Sequence, residues 1–334
     1  MRILSKKWIV GVDLGGTTTK IAFITMDGDI IHKWEIPTDN SDEGQYITSN
    51  IAKSIEEKLL GLNHPKDMLA GVGMGAPGPV DYDTGVILNT VNLGWKDNFP
   101  LKDSLEKATS LPAAVENDAN CAALGEMWKG AGSGAKNLVC VTLGTGVGGG
   151  VISNGNIVQG VNGAAGEIGH ITAIPFGGAP CNCGKTGCLE TVASATGIVR
   201  LALEEIQKDG AKGPLADVYV KNGKITAKDV FDTARTDDKL ALSILQEVCI
   251  HLGLALANIA NLLNPEKIVL GGGVSKAGEI LLEPVMENFR RFAFTPVRNS
   301  TKLAIANLGN DAGVLGAAWL IRNKLENEKD TLNI

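Results

Sequence analysis

Aromatic side chains are scarce in this chain, 4% of 334 residues, and only four residues are histidine. Hydrophobic residues still make up 44%, so the interior is aliphatic and ample for a globular protein. Basic charge is also short: 31 Lys and Arg stand against 37 Asp and Glu, a net charge of −6. With no Lys/Arg cluster to offset that balance, a nucleic-acid partner is not expected. No unbroken apolar run approaches the ~18 residues of a membrane span; the greasiest segment, Leu252 to Leu263, is interrupted by Asn258 and Asn261. Lys6 and Lys7 are followed too soon by Asp13 and a glycine turn for a signal peptide. A cytoplasmic protein without membrane attachment is the expectation. Of the six cysteines, Cys121, Cys140 and Cys249 stand alone in apolar stretches and read as small core residues.

The other three cysteines do not. Gly166-Glu167-Ile168-Gly169-His170 is followed by Cys181-Asn182-Cys183-Gly184-Lys185-Thr186-Gly187-Cys188-Leu189-Glu190. One imidazole and three thiols make a full tetrahedral set for Zn²⁺, with no place left for water, so the metal at His170, Cys181, Cys183 and Cys188 would be structural. The spacing reads better as a metal loop than as a disulfide framework in a cytosolic chain. Glu167 and Glu190, beside the ligands, would be held in fixed positions and free for other work.

Glycine is abundant, at 42 residues, and it punctuates strands twice in a related way. Trp8 to Leu14 reads as a buried strand, then Gly15-Gly16-Thr17-Thr18-Thr19, then a returning strand Lys20 to Ile24. Leu138 to Leu143 reads likewise, then Gly144-Thr145-Gly146-Val147-Gly148-Gly149-Gly150, with Val151-Ile152 as strand. Val12, Leu14 and Gly15 superpose on Val141, Leu143 and Gly144, which suggests one strand–turn–strand unit in each half. Such turns point successive backbone N–H groups at phosphate oxygens, although a tight hairpin needs glycine without any ligand. Gly144, Gly146 and Gly149 also satisfy G-x-G-x-x-G, but that dinucleotide fingerprint requires a helix next, and a strand follows here.

Length suggests about two domains at ~150 residues each, and elsewhere strand and helix alternate. Ile47, Ile51, Ile55 and Leu59 fall at helical spacing. Leu69 to Met74 reads as a strand ending in a Gly75–Pro79 turn. Pro112 to Glu116 reads as a strand, and Asn117-Asp118 opens a helix ending near Gly130. Ser243 to Leu263 reads as a buried helix stopped by Asn264-Pro265, Lys267 to Leu270 as a strand, and Ala312 to about Asn327 as the last helix. The class is α/β with mixed sheets. Asp118, between strand and helix, is either an N-cap or a general base at a strand's C-terminal end, and one residue can be both.

These residues together resemble the bacterial ROK sugar kinases, most closely the ATP-dependent glucokinases of Gram-positive bacteria. The resemblance rests on Asp13 to Thr17, Glu116 to Asn120, Leu143 to Gly150, Gly166 to His170 and Cys181 to Glu190, and covers nearly the whole chain. It implies a two-domain actin-like ATPase (ribonuclease H-like) fold with the active site in the interdomain cleft. The small domain would span residues 1–117 plus about 311–334, and the large domain 118–310, with the zinc loop at 170–188. Asp118 would be the base for transfer of the ATP γ-phosphoryl group to the sugar 6-hydroxyl. Gly75, Asn117, Glu167, His170 and Glu190 would bind sugar, His170 using its second ring nitrogen. Asp13, Gly15, Gly16, Thr17, Lys20, Gly144, Thr145, Gly146, Gly272 and Gly273 would bind ATP, and Asp13 would hold Mg²⁺ through water. Glucose is the expected substrate; fructose, N-acetylmannosamine, N-acetylglucosamine or mannose are the alternatives, followed by a non-catalytic sugar sensor. The repressors of this family carry an N-terminal helix-turn-helix, for which the residues before Trp8 leave no room. A homodimer or homotetramer is implied by the resemblance alone.

Overall fold

The first half of the chain winds into a five-stranded sheet, and the second half repeats its topology. The computed structural model describes residues 7–88, 90, 93–208 and 210–332. Residues 1–6 and 333–334, the outer ends of the expected small domain, lie outside the described residues. In the first half β1 (Trp8–Leu14), β2 (Thr18–Thr25) and β3 (Ile30–Pro37) form a meander, and α1 (Ile47–Gly61) leads to β4 (Leu69–Ala76). A small hairpin, β5 (Val80–Asp81) and β6 (Val86–Ile87), and α2 (Leu101–Thr109) precede β7 (Ala113–Asn117). The sheet order is β3-β2-β1-β4-β7, with β1 antiparallel to β2 and parallel to β4.

Helix α3 (Asp118–Lys129) crosses to the second sheet, which begins with β8 (Leu138–Leu143), β9 (Val147–Ser153) and β10 (Asn156–Ile157). A helical stretch follows: α4 (Glu190–Ala193), α5 (Ala195–Ile206), α6 (Pro214–Asn222), α7 (Ala227–Ala234) and α8 (Lys239–Leu263). Then come β11 (Lys267–Gly271), α9 (Gly272–Ser275), α10 (Glu279–Phe292), α11 (Thr295–Ser300), β12 (Lys302–Ile305) and α12 (Ala312–Leu332). The order is β10-β9-β8-β11-β12, again with the first strand antiparallel to its hairpin partner and parallel to the next. The internal repeat suggested by Leu14/Leu143 and Gly15/Gly144 is therefore a repeat of the whole sheet.

Helices α3 and α12 lie between the sheets. α12 packs on β1, β4, β7 and α3, while α3 also packs on β8 and β9. Close approach is possible because the contact positions carry no side chain. A Cβ on Gly73 would stand 1.8 Å from the Ala317 carbonyl oxygen, and one on Gly316 would stand 1.7 Å from that of Cys121. One buried cluster, including Ile9, Ile24, Leu124, Leu138, Val269, Val314 and Ile321, joins the two sheets through these helices. Cys121, Cys140 and Cys249 are all buried, as their apolar settings suggest.

Several elements differ from the sequence reading. β4 runs on through Gly75 and Ala76, because its parallel ladder with β7 continues at Gly75↔Glu116 and Ala76↔Asn117. β9 starts at Val147, so Gly148, Gly149 and Gly150 belong to a strand and only Gly144 to Gly146 form the turn. Their missing side chains have tertiary causes: a Cβ would meet the Thr142 hydroxyl at 2.7 Å, the Gly166 carbonyl at 2.5 Å and Ala123 at 2.6 Å, respectively. α8 starts at Lys239, capped by Asp238, which accepts from the Leu240 N–H at 2.8 Å. By length and composition α8 would suffice to cross a membrane, with a mean hydropathy of 1.8 over its most apolar window. It packs instead against α10, α7 and α5 inside the second half.

Candidate active site

A cavity of about 630 Å³ opens where the two hairpins face each other. Asp13, Lys20, Asp118, Gly144, Gly146, Glu190 and Gly272 line it, so both halves contribute. Asp13 and Lys20 are cross-strand neighbours in β1 and β2, and the Lys20 Nζ lies 3.2 Å from Asp13 Oδ2. Gly313, at the start of α12, gives Asp13 its space: a Cβ there would stand 2.7 Å from the carboxyl carbon. Each hairpin closes through its first glycine. Gly15 N–H donates to Thr18 O at 3.1 Å, and Gly144 N–H donates to Gly146 O at 2.9 Å.

Asp118 sits at the end of β7, on the first turn of α3. The cap of that helix is Asn117, not Asp118: the Asn117 Oδ1 accepts from Ala119 N–H at 2.9 Å and Asn120 N–H at 3.2 Å. Asp118 accepts from the Ala119 N–H at 2.8 Å and from its own backbone N–H, and it lines the cavity. Burial pushes that carboxyl above its ordinary value of 3.8, and the nearby Asp13 and Glu167 carboxylates add to the push. A weakly solvated carboxylate with a raised pKa is a stronger base than a surface aspartate.

His170 ends a short helical turn that starts after Glu167, and its two ring nitrogens face different ways. Nδ1 lies 3.7 Å from Cys181 Sγ, while Nε2 lies 4.0 Å from Glu167 Oε2. Cys183 and Cys188 Sγ are 3.6 Å apart, and the four donor atoms all lie within 4.8 Å of one another. Edges of about 3.5–3.8 Å are what a tetrahedron of ~2.3 Å Zn–S and ~2.0 Å Zn–N bonds requires; the His170–Cys181 and Cys183–Cys188 pairs match them, and the donor types are those that zinc takes. Lys185 holds the loop by donating to the His170 carbonyl at 2.7 Å. Glu190, on α4, ties this loop to the second hairpin: its Oε2 accepts from the Val147 N–H at 3.0 Å.

The remaining expected residues fall just off this cavity wall. Gly75 is buried, and a Cβ there would touch Cys121 at 3.1 Å, so it brings β4 against α3 behind Asp118. Asn117 spends its amide on the cap and on Gly78 O, which Nδ2 reaches at 3.1 Å. Gly15, Gly16, Thr17, Thr145, Gly273, Glu167 and His170 do not line the cavity; Thr145 offers its carbonyl to the Thr196 hydroxyl at 2.8 Å. Sequence reading missed Glu126, Thr142, Ser275, Lys276 and Asn310, which do line it. Glu126 is buried and accepts from Ala131 N–H at 2.8 Å and Leu308 N–H at 3.0 Å, which locks the end of α3 to the segment before α12. The turn-forming string Gly309-Asn310-Asp311-Ala312-Gly313 was the available signal for that wall.

A sequence profile described as the ROK family matches residues 9–324. The chain belongs to the ROK family. Its α/β architecture is the actin-like ATPase fold that the family resemblance implies. Over 331 residues this ROK chain is 57% identical to a glucokinase of Halalkalibacterium halodurans, covering 98% of this chain and 100% of that one. A ROK family glucokinase from Streptomyces griseus, solved in complex with glucose and AMPPNP, superposes with a TM-score of 0.75 at 35% identity, covering 94% and 98% of the two chains. A ROK family transcriptional regulator superposes with a TM-score of 0.83 at 29% identity, covering 96% of this chain but 78% of that one.

Proposed function

We propose that this ROK protein is an ATP-dependent glucokinase that transfers the γ-phosphoryl group of ATP to the 6-hydroxyl of glucose. The observation that carries this reading is the placement of Asp118: a half-buried carboxyl held by local backbone N–H groups, lining a cavity flanked by both glycine hairpins. Phosphoryl transfer needs positioning and charge neutralisation more than covalent help. Asp118 accepts the proton of the attacking hydroxyl, and its raised pKa suits that task. Glu167, His170, Glu190 and Asn117, with Gly75 behind them, hold the sugar. The Gly15–Thr17 and Gly144–Gly146 turns, with Gly272 and Gly273, hold ATP through backbone N–H groups. Asp13 is the acid suited to hold Mg²⁺ through water, and that ion, bound with ATP, neutralises phosphate charge; Lys20 fixes the orientation of Asp13.

His170, Cys181, Cys183 and Cys188 hold a structural zinc, a reading supported by their convergence. Held on the Nδ1 side, the metal would leave the His170 Nε2 edge free for sugar and would steady the loop that carries Glu190. The small domain is residues 1–117 with about 311–334, and the large domain 118–310, which fits the packing of α12 on the first sheet. Unpaired thiols fit a cytoplasmic location. The homodimer or homotetramer of the resemblance is read by small-angle scattering.

A coupled ADP-release assay with Mg·ATP against hexoses and N-acetylhexosamines tests the substrate. Strong preference for glucose is expected. Preference for another sugar would keep the mechanism and replace the substrate; no turnover with any sugar would sink the kinase reading in favour of sugar sensing.

A further inference from the structure

Glu116 is 1% exposed, and its partners are three neutral N–H donors with no cation among them. Two of the donors are local. The Asn117 N–H reaches Oε1 at 2.8 Å, and Asn120 Nδ2 reaches the same oxygen at 3.0 Å. The third comes from the other half of the chain, where Gln159 Nε2 donates to Oε2. Burying a carboxylate against neutral donors alone is costly, because no opposite charge offsets its desolvation. With no charge beside it to offset that cost, the contribution of Glu116 lies in the three N–H donors that it gathers and positions.

The neighbouring amides carry the same message. Asn120 Oδ1 and Gln159 Oε1 are buried and find no hydrogen-bond donor among the described residues. Buried polar atoms are rarely left this way. Both amides give up an acceptor's partner in order to turn their N–H groups toward one carboxylate, so Glu116 dictates how both are oriented.

Gln159 is also the anchor of a loop that reaches across the cleft. Its carbonyl accepts from the Ala165 N–H at 3.1 Å, which closes residues 159–165 into a compact unit. Within that unit Gly163 lies on the first half, where a Cβ would stand 2.6 Å from the Val80 carbonyl oxygen. Gly166 then packs against the backbone of Gly149, and Glu167 follows directly. On the other side, Glu116 holds the N–H of Asn117, the cap beside Asp118. The Glu116–Gln159 bond thus lies between the base and the acid of the zinc-bearing segment.

We infer that Glu116 is a positioning residue that, through Gln159, sets the register of the sugar-holding segment at Glu167 against the base Asp118. The inference rests on the sugar-kinase reading and deepens it. Glu116 does not line the cavity; it acts through Asn117 and Gln159.

A donor–acceptor swap tests it. Gln159→Glu sets two carboxylates face to face. Glu116→Gln combined with Gln159→Glu keeps every bond: at position 116 the amide oxygen accepts from Asn117 and Asn120, and the amide nitrogen donates to the carboxylate at position 159. The single variant is expected to raise the glucose KM roughly ten-fold while the ATP KM stays within about two-fold, and the double variant to regain most of that loss. An unchanged glucose KM in the folded single variant, or a double variant no better than the single, overturns the inference. Where Gln159→Glu does not fold, Gln159→Ala replaces it, and an unchanged glucose KM there has the same consequence. Wild-type protein that turned over no sugar would overturn the kinase reading and this inference with it; active wild type with unaffected variants overturns this inference alone.

Discussion

In the first hairpin Asp13 faces Lys20 across the ladder, next to the turn at Gly15 to Thr18; in the second the matching places are Thr142 and Gly148, next to Gly144 to Gly146. The two sheets have the same strand order and the same hairpin position, so the backbone is used twice. The chemistry is not. The first hairpin keeps its charge in its own strands, while the second has none there and receives a carboxylate from outside, Glu190, through the Val147 N–H. The acid of the first hairpin is therefore fixed by the sheet, and that of the second by the Cys/His loop. A repeat that carried the same charges twice would crowd four ionised groups into one cavity; the second hairpin instead carries the single carboxylate of Glu190, set on the Val147 N–H.

Asp118 lies between the hairpins and belongs to neither, so removing it gives the largest effect. Asp118→Asn keeps the acceptor for the Ala119 N–H and removes the carboxylate proposed as the base. Turnover is expected to fall by about 10³-fold, with the ATP KM within about two-fold of wild type, in steady-state kinetics. Retention of a tenth or more of the wild-type kcat would assign the proton to another group.

The asymmetry in how the two acids are held predicts an asymmetric response to metal loss. Cys183→Ala, which removes the exposed thiol of the cluster, is expected to lower zinc content and raise the glucose KM roughly ten-fold. The ATP KM should move far less, because Asp13 and Lys20 owe nothing to the loop. Stoichiometric zinc and unchanged glucose affinity in this variant would refute the scaffold role.

A third test separates the hairpins as backbone. A Cβ on Gly15 would stand 2.9 Å from the Thr18 carbonyl oxygen, whereas one on Gly144 meets only the Gly146 oxygen, at 4.0 Å. Gly15→Ala is expected to lower Tm by several degrees, on the order of 1–2 kcal/mol. Gly144→Ala should leave Tm unchanged and raise the ATP KM about five-fold, since the open space above Gly144 is the cavity itself. An unchanged ATP KM in Gly144→Ala would remove the second turn from phosphate binding.

That contrast marks how far the sequence could be read. Apolar strands followed by glycine turns were legible because they are local patterns, and so was the His-Cys-Cys-Cys set, whose spacing is itself the chemistry. Gly148 to Gly150 were not, because their cause is the approach of Thr142, Gly166 and Ala123 in space. Gly75 looked like a turn and is a strand residue pressed on Cys121. Asn117 and Asp118 are adjacent and both can cap a helix; only the hydrogen bonds tell which one does. Glu126 and Gly313 belong to segments far apart in sequence that meet at the cavity, and no local pattern announces such a meeting.

The smallest effect comes from the same variant that gives the largest. The folded pKa of Asp118 is raised above its ordinary 3.8, with burial as the leading cause. An acid shifted upward stabilises the fold only while protonated: that contribution is present below 3.8 and is lost as pH rises through the folded value. At neutral pH the ionised carboxyl is therefore a cost that the fold carries for its function, and Asp118→Asn removes it. Its Tm should exceed that of wild type by on the order of 1–2 °C at pH 7. The gap should close as pH is lowered toward 3.8, where the wild-type carboxyl takes up its proton. Thermal melts of both proteins across that range read the difference directly. A variant less stable than wild type at pH 7 would mean that Asp118 is held by favourable contacts of its charge, and that its place between the two hairpins costs the fold nothing.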